Sequence, residues 1–262
     1  MNHDNNLRNL VSNICRALNN GGYVWNYFAQ NKEFECELRR LFTQFQTSSP
    51  NQWNQDEFVS AAQELRIGYS VERTIAVNNV QNLCDCLRNG LNNFHPPLYD
   101  VLIVDEQQIS IIPECFQNII QTFCNVHGVN RPISFTSKLL HFLYPNAFPI
   151  IDTYTEKCLT LCVNHLYQDN NPRGNNHGRD NLRDFYSFIL GFYRRLLHDM
   201  LDNERGCIED KIGVLKKEFD LPFFTKLDAF DKYFWMAFRN SLKKELFGVR
   251  QNYNVWKNVI MI

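Results

Sequence analysis

The sequence lacks any uninterrupted apolar run of membrane-spanning length, about twenty residues. Its opening stretch, MNHDNNLRNLVSNICRAL, has neither the basic start nor the continuous apolar segment of a secretory signal. It also lacks a dominant charge: 27 basic residues face 28 acidic ones, for a formal net charge of −1. The molecule's overall field would therefore not draw it onto nucleic acid, and any such site must be local. The basic doublets Arg39-Arg40, Arg194-Arg195, Lys216-Lys217 and Lys243-Lys244 read first as solvated helix faces. An even disulfide framework is missing too. Nine cysteines without an export signal imply reduced thiols, and the expected compartment is the cytoplasm. Cys207 is the only cysteine after Cys162, which excludes a C-terminal iron–sulfur cluster, and Cys158/Cys162 and Cys84/Cys86 read as core thiols, so no metal and no cofactor is expected.

What the sequence has is core-forming material. At 262 residues, with 44% hydrophobic residues and 21 phenylalanines, the chain can build one compact domain or two intimate lobes. Apolar residues recur at intervals of three and four, which predicts a mainly α fold with helices near 4–19, 32–46, 55–67, 71–91, 113–126, 134–143, 153–168, 180–202, 207–218 and 226–246. Pro113 suits a first helical turn, Gly128 follows that helix, and Ser70 and Asp152 are candidate N-caps. Residues 95–112 allow a short β hairpin or extended segment, and 169–181, rich in Asn and Gly, read as a surface loop. A boundary near 112 would separate an N-terminal helical lobe, 1–112, from a second lobe, 113–262.

The chemistry concentrates in ISFTSKLLHFLYPNAFPIIDTYTEKCL, residues 133–159. An amphipathic helix bearing Lys138 runs into a turn bounded by Pro145 and Pro149, and a second helix starts at Asp152. A carboxylate there accepts backbone N–H bonds, feels the positive end of the helix dipole and stays ionised. On the residues alone, Asp152 is either a helix cap or a reactive carboxylate. Lys138 is either a surface or phosphate-contacting lysine or a nucleophile.

The order lysine helix, short proline-containing loop, then I-D-T at a helix start resembles the helix-hairpin-helix DNA glycosylases, whose pattern continues into V-D-T-H or W-D-S-R. More closely, Ser137-Lys138-Leu139-Leu140-His141-Phe142 and Phe148-Pro149-Ile150-Ile151-Asp152 resemble the S-K-x-L-H-F and F-P-I-x-D elements of a prokaryotic group with an 8-oxoguanine-glycosylase fold. Leu227 to Met236, LDAFDKYFWM, is similar to that group's L-x-x-x-D-x-x-L-W element. The resemblance implies a helix-hairpin-helix glycosylase-like architecture in the second lobe and cleavage of the N-glycosidic bond of a flipped base in double-stranded DNA. Asp152 would stabilise the oxocarbenium-like sugar, and Lys138 matches the lysine that attacks C1′ in bifunctional members. The Lys138–Asp152 interval is shorter than in those enzymes, which favours a monofunctional glycosylase.

The glycine-rich hairpin of the superfamily is replaced here by His127-Gly128-Val129-Asn130-Arg131-Pro132, which assigns phosphate contacts to Asn130 and Arg131. Ser137, Arg173 and Arg179 complete the expected DNA contacts. Trp25, Tyr27, Phe28, His141, Tyr154 and Trp235 are the expected base-pocket residues. The expected protein is a monomer without a membrane partner. It would act in repair or in anti-phage defence, for instance on glucosylated hydroxymethylcytosine. The competing expectation is a non-catalytic helical module that binds DNA or another protein.

Overall fold

The computed structural model describes residues 3–69, 75–92, 102, 109–127, 132–152, 155, 158–159, 182–221 and 223–245. Among them there is no strand, so the described fold is mainly α. The elements are α1 (His3–Leu18), α2 (Tyr23–Gln46), a 3-10 turn (Pro50–Gln52), α3 (Gln55–Gly68), α4 (Val77–Asn92), α5 (Ile111–His127), α6 (Ile133–Leu143), α7 (Leu182–Asp199), α8 (Asp202–Phe219) and α9 (Lys226–Glu245). No helix among the described residues is long and apolar enough to cross a membrane.

Local chemistry sets the helix ends. Between α1 and α2, Gly21 takes φ +81°, a conformation side chains oppose, and a Cβ on Gly22 would meet the Arg16 carbonyl at 2.3 Å. The double glycine therefore lets α2 fold back directly on α1. Asn54 caps α3 by accepting the N–H groups of Asp56 and Glu57. The Glu204 carboxylate accepts the Leu201 N–H at 2.8 Å, opening α8.

Most expected helices are present with shifted ends, and three differences are informative. The helix expected from 32 begins at Tyr23 and continues through a kink at Asn31, whose side chain donates to the Tyr27 carbonyl at 2.7 Å. The break expected between 202 and 207 lies earlier, at Met200 and Leu201, because Asp202 and Glu204 supply the first-turn carboxylates of α8. Of the segment 95–112, Leu102 is in a turn and 109–112 lead into α5; the rest lies outside the described residues, as do Ser70, Gly128 and 169–181.

A single connected apolar core runs from Leu7 to Ala237 and draws on both ranges expected as lobes. Within it, α2 packs against α1, α3, α6, α8 and α9. Through α2, the C-terminal helices α8 and α9 are thus joined to α6, the helix that carries Lys138.

Candidate active site

The connection from α6 to Asp152 opens with a turn at 145–147 and continues over 148–152 without regular secondary structure, so the backbone groups of that last stretch need partners from outside. His141 Nδ1 lies 2.7 Å from the Phe148 carbonyl. Tyr186 donates its hydroxyl to the Pro149 carbonyl at 2.9 Å, and the Ile150 N–H donates to Asp231 at 2.7 Å. The Ile151 N–H donates to Ser137 Oγ at 2.9 Å, while the same hydroxyl lies 3.1 Å from the Ile151 carbonyl. Residues 148 to 151 are thereby tied down from α6, α7 and α9, and Asp152 is delivered from a rigid base.

Asp152 caps the helical turn that follows: its Oδ1 accepts the Thr155 N–H at 2.8 Å. Its Oδ2 lies 3.6 Å from Lys138 Nζ, a charge pair longer than a hydrogen bond, with side-chain exposures of 13% and 6%. Lys138 donates to Ser134 Oγ at 2.9 Å, and its ammonium lies 5.9 Å from the Tyr69 ring centre. Lys138 and Asp152 line one cavity with Tyr69, Trp235, Thr155 and Lys232, and its volume is about 30 Å³. That is room for about one water molecule, an order of magnitude below an ordinary ligand pocket.

Beneath the cavity lies a buried ionic network joining α2 to α9. Tyr27, Tyr69 and Lys232 all donate to Glu35 Oε1, at 2.6, 2.8 and 2.8 Å. Burial raises the Glu35 carboxyl, but the Lys232 and Arg39 cations outweigh it and hold it below its ordinary value. Arg39 donates to Asp228 at 2.5 Å, and His141 Nε2 sits 2.8 Å from the same oxygen. The two cations overcome burial and keep Asp228 well below the usual carboxylate range. Burial lowers His141, yet Asp228 more than offsets this and pushes it above its ordinary value. With acceptors at both ring nitrogens, the imidazolium satisfies the site. Asp231 accepts from Tyr193 at 2.5 Å and from Ile150, but burial dominates and pushes its carboxyl up to about 7.

The residues expected from sequence are divided by this arrangement. Lys138, Asp152 and Trp235 meet at the cavity. Tyr27 lies one layer below it, bonded to Glu35 and 5.9 Å from the Trp235 ring. Trp25 and Phe28 do not line the cavity; they pack on Phe219, and Phe28 also on Phe224, at ring distances of 4.9 to 6.2 Å. His141 is 1% exposed and belongs to the network rather than to a pocket wall. Ser137, expected at a DNA contact, is fully buried because its hydroxyl is spent on Ile151. Asn130, Arg131, Tyr154, Arg173 and Arg179 lie outside the described residues.

Sequence reasoning missed Glu35, Arg39, Tyr69, Asp228, Asp231 and Lys232. The available signal was charge on an apolar helix face: Glu35, Leu38, Arg39, Phe42 and Phe45 share the buried side of α2. Compared with protein families, curated proteins and solved structures, the chain matches none.

Proposed function

We propose that the protein is a monofunctional DNA glycosylase of helix-hairpin-helix type that hydrolyses the N-glycosidic bond of a flipped, modified base in double-stranded DNA. The observation that carries this reading is the Lys138–Asp152 pair, 3.6 Å apart and lining one cavity with the aromatic rings of Tyr69 and Trp235. Cleavage builds positive charge on the sugar as the base departs, and a carboxylate held in fixed geometry stabilises it. Asp152 has that geometry: one oxygen is spent on capping, the other is turned toward Lys138. Lys138, paired with Asp152 and bonded to Ser134, acts as an ammonium that contacts substrate or carboxylate, not as an amine nucleophile. The substrate would be an oxidised or alkylated base in repair, or a hypermodified viral base such as glucosylated hydroxymethylcytosine in defence.

Incubation with duplexes carrying different modified bases, followed by heating in alkali, reads out abasic sites. Strand scission is expected with at least one of them and is expected to be lost in Asp152→Asn. Borohydride is expected to trap no covalent adduct. The cavity volume of about 30 Å³ favours a second reading, a non-catalytic helical binding module, because a base cannot enter without the walls moving. That reading predicts DNA binding without base release, and Asp152→Ala would then cost only a cap, about 1 kcal/mol of stability.

A further inference from the structure

Thr155 is 1% exposed, and its hydroxyl oxygen is buried without a hydrogen-bond partner among the protein atoms. A buried hydroxyl in that state is destabilising unless something in the site accepts or donates to it. The usual local solution for a helical threonine is the carbonyl four residues back, here Ile151, but that carbonyl already faces Ser137 Oγ at 3.1 Å. The Thr155 N–H is spent as well, on Asp152 Oδ1 at 2.8 Å. Thr155 lines the cavity shared by Asp152 and Lys138, whose volume of about 30 Å³ matches one water molecule. A buried water needs two to four polar partners, and a hydroxyl, a carboxylate and an ammonium provide them.

We propose that this cavity is the site of the hydrolytic water, with Thr155 as the residue that positions it against Asp152. The chemical part rests on the glycosylase reading above. The water oxygen forms a bond to the sugar C1′ as the C1′–N bond breaks, the bonding electron pair leaves with the base nitrogen, and the water's proton passes to the Asp152 carboxylate. Thr155 accepts or donates one hydrogen bond to the water and so fixes the lone pair that attacks. Lys138 holds the carboxylate charge beside it. The arrangement explains, without any amine attack, why a lysine and an aspartate share so small a space.

The test is a high-resolution crystal structure of the protein and of Thr155→Val, with base-release assays of both and of Thr155→Ser. An ordered water within hydrogen-bond distance of Thr155 Oγ1 and Asp152 is expected in the protein and should be missing from the valine variant. Thr155→Val should release base about a hundredfold more slowly at saturating DNA, with unchanged DNA affinity, while Thr155→Ser restores the rate to within a few-fold. A dry cavity, or a Thr155 hydroxyl bonded to a protein carbonyl, overturns the water site whatever the activity. Equal rates for protein and valine variant overturn the positioning role but leave the glycosylase reading standing. If the protein releases no base from any modified duplex, the glycosylase reading and the hydrolytic role fall together, and electron density alone decides whether the water site exists.

Discussion

The charge pair at the cavity and the ionic network beneath it, taken here as the cavity's two walls, are built on opposite principles. On one side, Lys138 and Asp152 lie 14 positions apart in sequence, remain 6% and 13% exposed, and stand 3.6 Å apart. On the other, Arg39 reaches Asp228 across 189 residues at 2.5 Å, and Glu35 reaches Lys232 across 197 residues at 2.8 Å, with none of these side chains more than 8% exposed. Buried pairs of the second kind repay their desolvation only with tight geometry and further hydrogen bonds, which Tyr27, Tyr69 and His141 supply. The loose pair keeps a carboxylate oxygen toward the cavity, and the tight network stops the helices beneath it from shifting. Cavity-facing charge and internal bracing are thus assigned to different segments.

The comparison breaks most visibly at Asp228. Asp228→Ala leaves His141 buried without its counter-ion and Arg39 with only the more distant Glu35, 3.7 Å away, and should cost about 3–5 kcal/mol in urea unfolding at neutral pH. A loss below about 1 kcal/mol would mean that the network does not brace the fold. The complementary change, Asp152→Asn, should lower base release by about 10²–10³-fold while costing no more than about 1 kcal/mol of stability. A stability loss rivalling that of Asp228→Ala would erase the distinction between the walls.

Titration sharpens the same contrast. Asp231 has its carboxyl raised from 3.8 to about 7, so between those values the folded chain holds a proton that the unfolded chain has released. Its contribution is fully present below pH 3.8 and is lost as pH rises through about 7. Asp231→Asn removes this dependence. Its stability relative to the unmodified protein should therefore improve from pH 4 to pH 7 by at least about 1.4 kcal/mol, the worth of one pKa unit. Urea midpoints across that range check it, and parallel curves for the two proteins would refute the buried titration. The smallest effect is expected outside both walls. Arg195 is 59% exposed and 3.6 Å from Asp199, and Arg195→Ala should shift stability by less than about 0.5 kcal/mol.

Helices were legible in the sequence because their apolar spacing is a local property. The start of α2 was not: the run after Gly21-Gly22 reads as an aromatic cluster, and the Asn31 kink conceals its continuity with the helix beyond. The Lys138–Asp152 wall was legible for the same local reason, since one helix and one proline-bounded turn fix both residues. The network was not, because its partners are set by tertiary packing. Arg39-Arg40 illustrates the difficulty: as a doublet it reads as a solvated face, yet Arg39 is 5% exposed and Arg40 is exposed. Neighbours on a helix point about 100° apart, and only the face shared with Glu35 and Phe42 tells which one turns inward.

The span between Arg39 and Asp228 also sets a timetable. A ribosome adding about 5–20 residues per second takes roughly 10–40 s to make the 189 residues that separate them. Throughout that interval Glu35 can meet Tyr27, Tyr69 and Arg39 but not Lys232, and Arg39 has not met Asp228. The network that joins α2 to α9 is therefore complete only when α9 arrives. A nascent chain holding Lys138 and Asp152 but not yet Asp228 carries that pair without its brace, which arrives in one late step instead of by degrees.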